Sequence, residues 1–167
     1  MSSIPVSPVS TPPRLDAQLC FKLYAINNLL GRLYRPLLDP LGLTYPQYLT
    51  MLALWEAGEC SVGELGRRLR LDSGTLTPLL KRLEATGFVA RRRDREDERR
   101  VIVSLTAAGA ALGDRAAAVP RDLACRVSDV ALRDAKEFQI LSARLQTLVD
   151  ALARALDEPE RNVSPAA

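Results

Sequence analysis

The chain has no histidine and only three cysteines among its 167 residues. Without histidine there is no imidazole base and no Ser-His or Cys-His pair, so the usual hydrolase chemistry is nearly excluded. No two of the cysteines (Cys20, Cys60 and Cys125) approach a C-x-x-C spacing, which argues against a zinc site and leaves no metal or other cofactor to expect. Aromatic residues make up 5% of the chain, while Ala and Leu dominate, a balance that favours helices. No run nears the roughly 20 apolar residues that span a bilayer, so no membrane partner is expected. The first fourteen residues, MSSIPVSPVSTPPR, have neither a basic n-region nor an apolar h-region. A flexible Ser/Pro-rich arm over 1–14, rather than a secretory signal, is expected there, and with it a cytoplasmic protein.

What the chain does contain is enough apolar material for a core, 47% hydrophobic against 26% charged residues. The net charge is a modest +3, but it is unevenly placed. Between Ser61 and Arg100 there are eleven Lys/Arg and seven Asp/Glu, a balance of +4, while the remaining twelve and thirteen leave −1. A positive excess confined to one central segment is the footprint of a polyanion-binding surface, although a solvated basic face has the same composition.

Helical periodicity organises most of the chain. Leu15, Leu19, Leu23, Ile26, Leu30, Leu33 and Leu37 step by three or four, which predicts a long amphipathic helix whose last turn Pro36 disturbs and DPLG at 39–42 ends. A second helix is expected from Thr44 or Tyr45, with Pro46 in its first turn, an apolar stripe of Leu49, Leu52 and Trp55, and Gly58 as its stop. Ser61 and Glu64 form a capping box for a short helix faced by Val62, Leu65 and Leu69. Asp72 can cap the next helix, with Leu76, Leu79, Leu80 and Leu83 inside and Gly87 at its end. Pro78 removes a backbone bond from that helix, so either its first turn is distorted or the regular helix begins near Thr77. After two short strands, Phe88–Arg92 and Arg100–Leu105, Thr106 caps another helix that Pro120 breaks. A shorter helical piece carries Leu123 and Val127, and a last helix runs from about Leu132 to Leu156 with Leu141, Leu145, Leu148 and Leu152 along it.

Ten consecutive charged residues, RRRDREDERR at 91–100, six arginines and four acids, supply the facing ends of the two strands and the turn between them. A solvated loop needs fewer. The order helix, short helix, tight link, helix, hairpin with a charged tip describes a winged helix-turn-helix, whose second helix enters the major groove. That helix presents Ser73, Thr75, Thr77, Lys81 and Arg82 outward, small hydrogen-bonding groups first and cations further on, suited to base edges and phosphates. An arginine-rich tip holding Arg93, Arg95 and Arg99 can reach the minor groove, where the negative potential attracts guanidinium. Asp94, Glu96, Asp97 and Glu98 would keep the arginines apart and orient the tip. The expected fold is mainly α with a small β-hairpin wing: a winged unit over about 44–105 between helices at about 15–40 and 106–156, within a domain of 15–157, followed by a flexible tail at 158–167.

DREDERRVIVSLTAAG at 94–109 resembles the wing signature of the MarR regulators, in which an aspartate and an arginine precede the last strand and Leu-Thr-x-x-Gly opens the next helix. Asp97 and Arg99 occupy those wing positions. LDSGTLTPLLKRLEATGFVAR at 71–91 is similar to the recognition helix of one branch, the organic-hydroperoxide-sensing repressors, and LCFKLYAINNLLGRLYRPLLDPLGLTYPQYL at 19–49 is more specific to that branch. The resemblance runs from about Leu15 to Leu156. It implies a homodimeric repressor on a pseudo-palindromic operator, with an organic hydroperoxide as inducer and with the outer helices serving dimerisation. It further implies that Cys20 is the reactive cysteine, that Tyr34 and Tyr45 hydrogen-bond its thiolate, and that Cys125 stands where a two-cysteine subset carries a resolving thiol.

The residues themselves bear on Cys20. It falls early in the first helix, where the macrodipole favours a thiolate, and beside the main apolar stripe rather than within it. Tyr34 is fourteen residues further along, about 21 Å in a straight helix, so a Cys20–Tyr34 bond requires a second chain. Tyr24, one turn from Cys20, reads as packing, and Cys60 has no assigned role. Two other readings stand beside the thiol-switched repressor: a regulator answering a small phenolic ligand with Cys20 incidental, and a thiol peroxidase using Cys20 in catalysis. The peroxidase is the weakest, because it needs no arginine-tipped wing and no thioredoxin-like βαβ pattern is present.

Overall fold

In the computed structural model, residues 13–127 and 135–157 are described. The flexible arm expected at 1–14 falls outside them except for its last two residues, as do the tail at 158–167 and the expected helix start at Leu132. The described residues divide into two compact units, one up to Leu123 and one from Ala124 onward.

The first unit is mainly helical with the predicted β-hairpin, which a third strand extends into a three-stranded antiparallel sheet. Its order is α1 (Leu19–Leu38), α2 (Tyr45–Ala57), β1 (Glu59–Ser61), α3 (Val62–Leu69), α4 (Ser73–Ala85), β2 (Val89–Arg93), β3 (Val101–Leu105), α5 (Ala107–Ala116) and the start of α6 (Val119–Val127). The strands lie in the order β1-β3-β2, so β2 is an edge strand. β1 was not expected: three residues, Glu59–Ser61, are too short for alternation to show, and pairing with Ser104, Val103 and Ile102 alone makes them a strand.

Local chemistry explains the elements. α1 begins at Leu19, four residues later than its periodicity predicts, because Leu15–Ala17 form a separate 3-10 turn. Pro36 lies inside α1, which continues to Leu38. Thr44 and Gln47 form a capping box at the start of α2. The predicted box of Ser61 and Glu64 is present: the Glu64 carboxylate accepts the Ser61 N–H at 2.8 Å, and Ser61 Oγ accepts the Glu64 N–H at 3.2 Å. The Pro78 question resolves in favour of Ser73. Asp72 accepts the Thr75 N–H at 2.8 Å, the regular helix starts there, and Pro78 sits one turn in, facing solvent. At the far end Gly87 takes φ +76 and Phe88 N–H reaches back to the Leu83 carbonyl at 3.0 Å, a Schellman stop that turns the chain into β2. Pro120 is not the breaker expected of it. α5 ends at Ala116, and Pro120 occupies the first turn of α6, where a missing N–H costs nothing.

The core joins Leu38, Tyr48, Met51, Leu54, Leu65, Leu76, Leu80, Leu83, Val89 and Val103, each at most 2% exposed. The inner face predicted for α4 is buried throughout. That of α2 is displaced: Tyr48, Met51 and Leu54 point inward, while Leu49 is exposed and Leu52 and Trp55 are half-buried. α2 is apolar on nearly every face, so periodicity could not choose among them. α5 is held against the winged unit by close approach. A Cβ on Gly109 would lie 1.9 Å from the Phe88 carbonyl oxygen, and Trp55 Nε1 donates to the Gly109 carbonyl at 2.9 Å.

Two faces remain uncovered within their own units. On α1, Leu19, Ile26, Leu29 and Leu33 are exposed. The second unit is led by α7 (Ala135–Asp157), on which Phe138, Leu141, Leu145, Val149 and Leu152 form an exposed stripe at helical spacing. Among the described residues no helix is long and apolar enough to cross a membrane.

Candidate nucleic-acid interface and thiol site

α3 and α4 form the two-helix unit and meet through Arg70, whose φ of 55 closes α3 in the left-handed region. Ser73, Thr75, Lys81 and Arg82 are exposed along α4, while Thr77 is half-buried. The Thr75 hydroxyl proton is already engaged, donated to Asp72 Oδ2 at 3.0 Å, so Thr75 offers lone pairs outward. Its N–H and hydroxyl hold the Asp72 carboxyl below the usual carboxylate range. The exposed face of the helix therefore runs from a capped, oxygen-rich end to two cations.

The ten charges of the hairpin divide into two jobs. Four of the six arginines hold the wing in place. Arg91 bonds Glu84 on α4, with Nε to Oε2 at 2.9 Å. Arg92 reaches both Glu59 oxygens at 3.2 Å, across the sheet to β1. Arg93 donates to the Glu98 carbonyl at 2.9 Å. Arg100 pairs with Asp94 at 3.8 Å and more distantly with Glu64 at 4.0 Å. Arg95 and Arg99 are exposed, and among the described residues their guanidinium groups have no hydrogen bond or ion pair. Asp97 is a loop builder: its Oδ1 accepts the Arg99 N–H at 3.0 Å and its carbonyl accepts the Arg100 N–H at 2.9 Å. Asp94 likewise accepts the Glu96 N–H at 3.1 Å. The tip thus presents Arg95 and Arg99 on a turn fixed by two aspartates. Sequence reasoning missed Glu59 and Glu84, because their partners lie 33 and 7 residues away and no local pattern pairs them.

Cys20 is exposed in the first turn of α1. Tyr34 lies fourteen residues on along the same helix and stacks on Tyr45 at the head of α2, 4.5 Å between ring centroids; Tyr48 flanks Tyr34 at 5.8 Å. Burial pushes all three phenols up, so each keeps its proton and remains a donor at neutral pH. The structure brings the two predicted tyrosines together and places Cys20 away from them on α1. Cys60 is half-buried in β1 against the core, its thiol pushed up by burial and then by Glu64, with Arg68 opposing. Cys125 is exposed on α6, within the second unit. None of the three is in a disulfide.

Comparison with known proteins agrees with this architecture. Residues 32–115 match the family described as transcriptional regulator SarA/Rot. The organic hydroperoxide resistance transcriptional regulator of Bacillus subtilis is 43% identical over 83% of this chain and 92% of its own. Among solved structures, reduced AbfR bound to DNA is 33% identical, covers 85% of this chain and 94% of its own, and has a TM-score of 0.70. AbfR is also known overoxidised on DNA and with a disulfide formed. A cysteine-to-serine mutant of MarR from E. coli, complexed with operator DNA, is 30% identical over 78% of this chain and 92% of its own, with a TM-score of 0.69. These relatives are regulators rather than enzymes, and the chain belongs with them to the MarR-type winged helix-turn-helix transcriptional regulators, in the branch that resembles the organic hydroperoxide regulators.

Proposed function

We propose that this protein is a cytoplasmic, homodimeric repressor that binds a pseudo-palindromic DNA operator and releases it when an organic hydroperoxide oxidises Cys20. The observation that carries the reading is the layout of α1. It has an uncovered apolar face, an exposed cysteine in its first turn, and at its far end a pair of phenols that keep their protons. A second copy running antiparallel along α1 covers that face and delivers Tyr34 and Tyr45 to the thiolate of the opposite Cys20. α7, with its own uncovered stripe, adds to the dimerisation surface. Ser73, Thr75, Thr77, Lys81 and Arg82 meet the major groove, and Arg93, Arg95 and Arg99 meet the neighbouring backbone and minor groove, with Asp97 shaping the tip. The domain boundaries follow: the winged unit at about 44–105 and dimerisation helices at about 15–40 and 106–156.

The redox step balances as follows. The Cys20 thiolate attacks the distal peroxide oxygen, the O–O bond breaks, and the alkoxide leaves and takes a proton to become the alcohol. The resulting sulfenic acid condenses with the Cys125 thiol of the partner subunit, forming the S–S bond and releasing water. A bond between subunits alters the spacing of the two recognition helices. Symmetric operators require that spacing near one DNA turn, about 34 Å, so a small rotation suffices for release.

The test is a DNA-binding titration with and without an alkyl hydroperoxide. Wild type should release its duplex on oxidation, and Cys20→Ser should hold it. Release by Cys20→Ser under the same treatment overturns the thiol switch, and release of that variant by salicylate-like compounds instead would favour the phenolic-ligand reading.

A further inference from the structure

We propose that Glu84 is the positioning residue that sets the angle between the recognition helix and the wing, so that both engage one duplex. The proposal rests on the DNA-binding reading above. Glu84 is the second-last residue of α4, and Arg91 is the third residue of β2. Because β2 is an edge strand, the Arg91 N–H faces away from β3, and Glu84 Oε1 accepts it at 3.3 Å. Glu84 Oε2 accepts both Nε at 2.9 Å and a terminal nitrogen at 2.5 Å of the same guanidinium. One carboxylate therefore holds backbone and side chain of a single wing residue together through charge-assisted hydrogen bonds. Arg91 in turn holds the Glu84 carboxyl below its usual range.

The position of this link makes it specific. Among the described residues it is the one hydrogen-bonded side-chain link between α4 and the wing strands. Arg92 braces the wing to β1, Arg93 braces it to itself, and Arg100 reaches Asp94 and α3. Leu83 and Val89 are buried in the same core, but apolar burial is non-directional. Arg95, whose guanidinium has no partner among the described residues, lies two residues past the end of β2 and four beyond Arg91, a lever of up to about 13 Å. A tilt of about 10° at the root moves that tip by about 2 Å, enough to lose a guanidinium contact. Half-exposed ion pairs add little to stability, so the role of this one shows in geometry rather than in the melting temperature.

A double-mutant cycle tests it, using a duplex that the wild-type dimer selects from a random pool. In the wild-type background Arg99→Ala should weaken binding about ten-fold. In the Glu84→Ala background, where the wing no longer holds its angle, the same change should cost less than about two-fold. Glu84→Gln, which keeps an acceptor for the Arg91 N–H, should fall between, and the melting temperature of both should stay within a few degrees of wild type. An equal cost of Arg99→Ala in both backgrounds overturns the positioning role. If Glu84→Ala does not fold, the same cycle on Arg91→Lys decides with the same criterion. If the wild type selects no duplex, the DNA-binding reading itself fails, a result distinct from an uncoupled cycle.

Discussion

Tyr34 and Tyr45 stack with 4.5 Å between ring centroids and 25° between planes, although one lies a turn before the end of α1 and the other opens α2. Each residue is half-buried, and among the described residues neither hydroxyl has a hydrogen-bond partner. Tyr→Phe keeps the ring and removes only the O–H. A hydrogen bond to a charged group is worth about 1.5–3 kcal/mol, so loss of a donor to the Cys20 thiolate should slow its oxidation by about ten-fold or more. Stability should change little. Stopped-flow oxidation by an alkyl hydroperoxide checks this; wild-type rates in both Phe variants would remove the tyrosines from the thiol site.

Arg99→Ala should weaken operator binding without unfolding the protein, because among the described residues its guanidinium makes no hydrogen bond or ion pair. If the lost contact is a phosphate, the slope of log affinity against log salt should flatten by about one. Arg92→Ala offers the contrast: it loses the Glu59 brace, and its effect should resemble a loosened wing rather than a lost cation. An unchanged affinity and slope for Arg99→Ala would place the DNA-contacting cations elsewhere.

The division between Arg99 and its neighbours shows where sequence reading reaches and where it stops. The capping box of α3, the inner face of α4 and the hairpin were legible because each is encoded within a few residues: Ser61 with Glu64, Leu76 with Leu80 and Leu83. β1 and the buried face of α2 were not. Glu59–Ser61 become a strand only by pairing with β3, and Tyr48, Met51 and Leu54 are chosen over Leu49 and Leu52 only by what packs against them. The charged decapeptide was legible as a wing, but its division into braces and free cations depends on Glu59 and Glu84, which only the fold brings near.

Gly109→Ala should destabilise the first unit. The added methyl would lie 1.9 Å from the Phe88 carbonyl oxygen, a backbone atom that the Thr106 N–H and hydroxyl also hold. α5 must therefore move away, at a cost of about 2 kcal/mol or more. The movement should also disturb the Trp55 bond to the Gly109 carbonyl. Trp55 is the one tryptophan of the chain, so its emission reports the change directly. An unfolding midpoint and emission maximum equal to wild type would contradict the close approach.

Cys125 is the proposed resolving thiol, and its surroundings differ from those of Cys60 in the way that role needs. Cys125 is exposed, whereas Cys60 is half-buried in β1 with its thiol pushed up by burial. A thiol kept protonated and packed is a poor partner for a sulfenic acid, since exchange requires access and thiolate character. A disulfide also needs Cα atoms within about 7 Å, so closure between Cys20 and the partner subunit's Cys125 is a geometric event that can move helices. Under an alkyl hydroperoxide, wild type should run as a covalent dimer on a non-reducing gel and return to monomer with reductant. Cys125→Ser should remain monomeric there and accumulate an oxidised Cys20, detectable as a mass increase of one oxygen or more. Cys60→Ser should behave as wild type. If Cys60→Ser abolishes the covalent dimer while Cys125→Ser leaves it intact, the resolving role belongs to Cys60, and the switch must act through β1 and the wing instead.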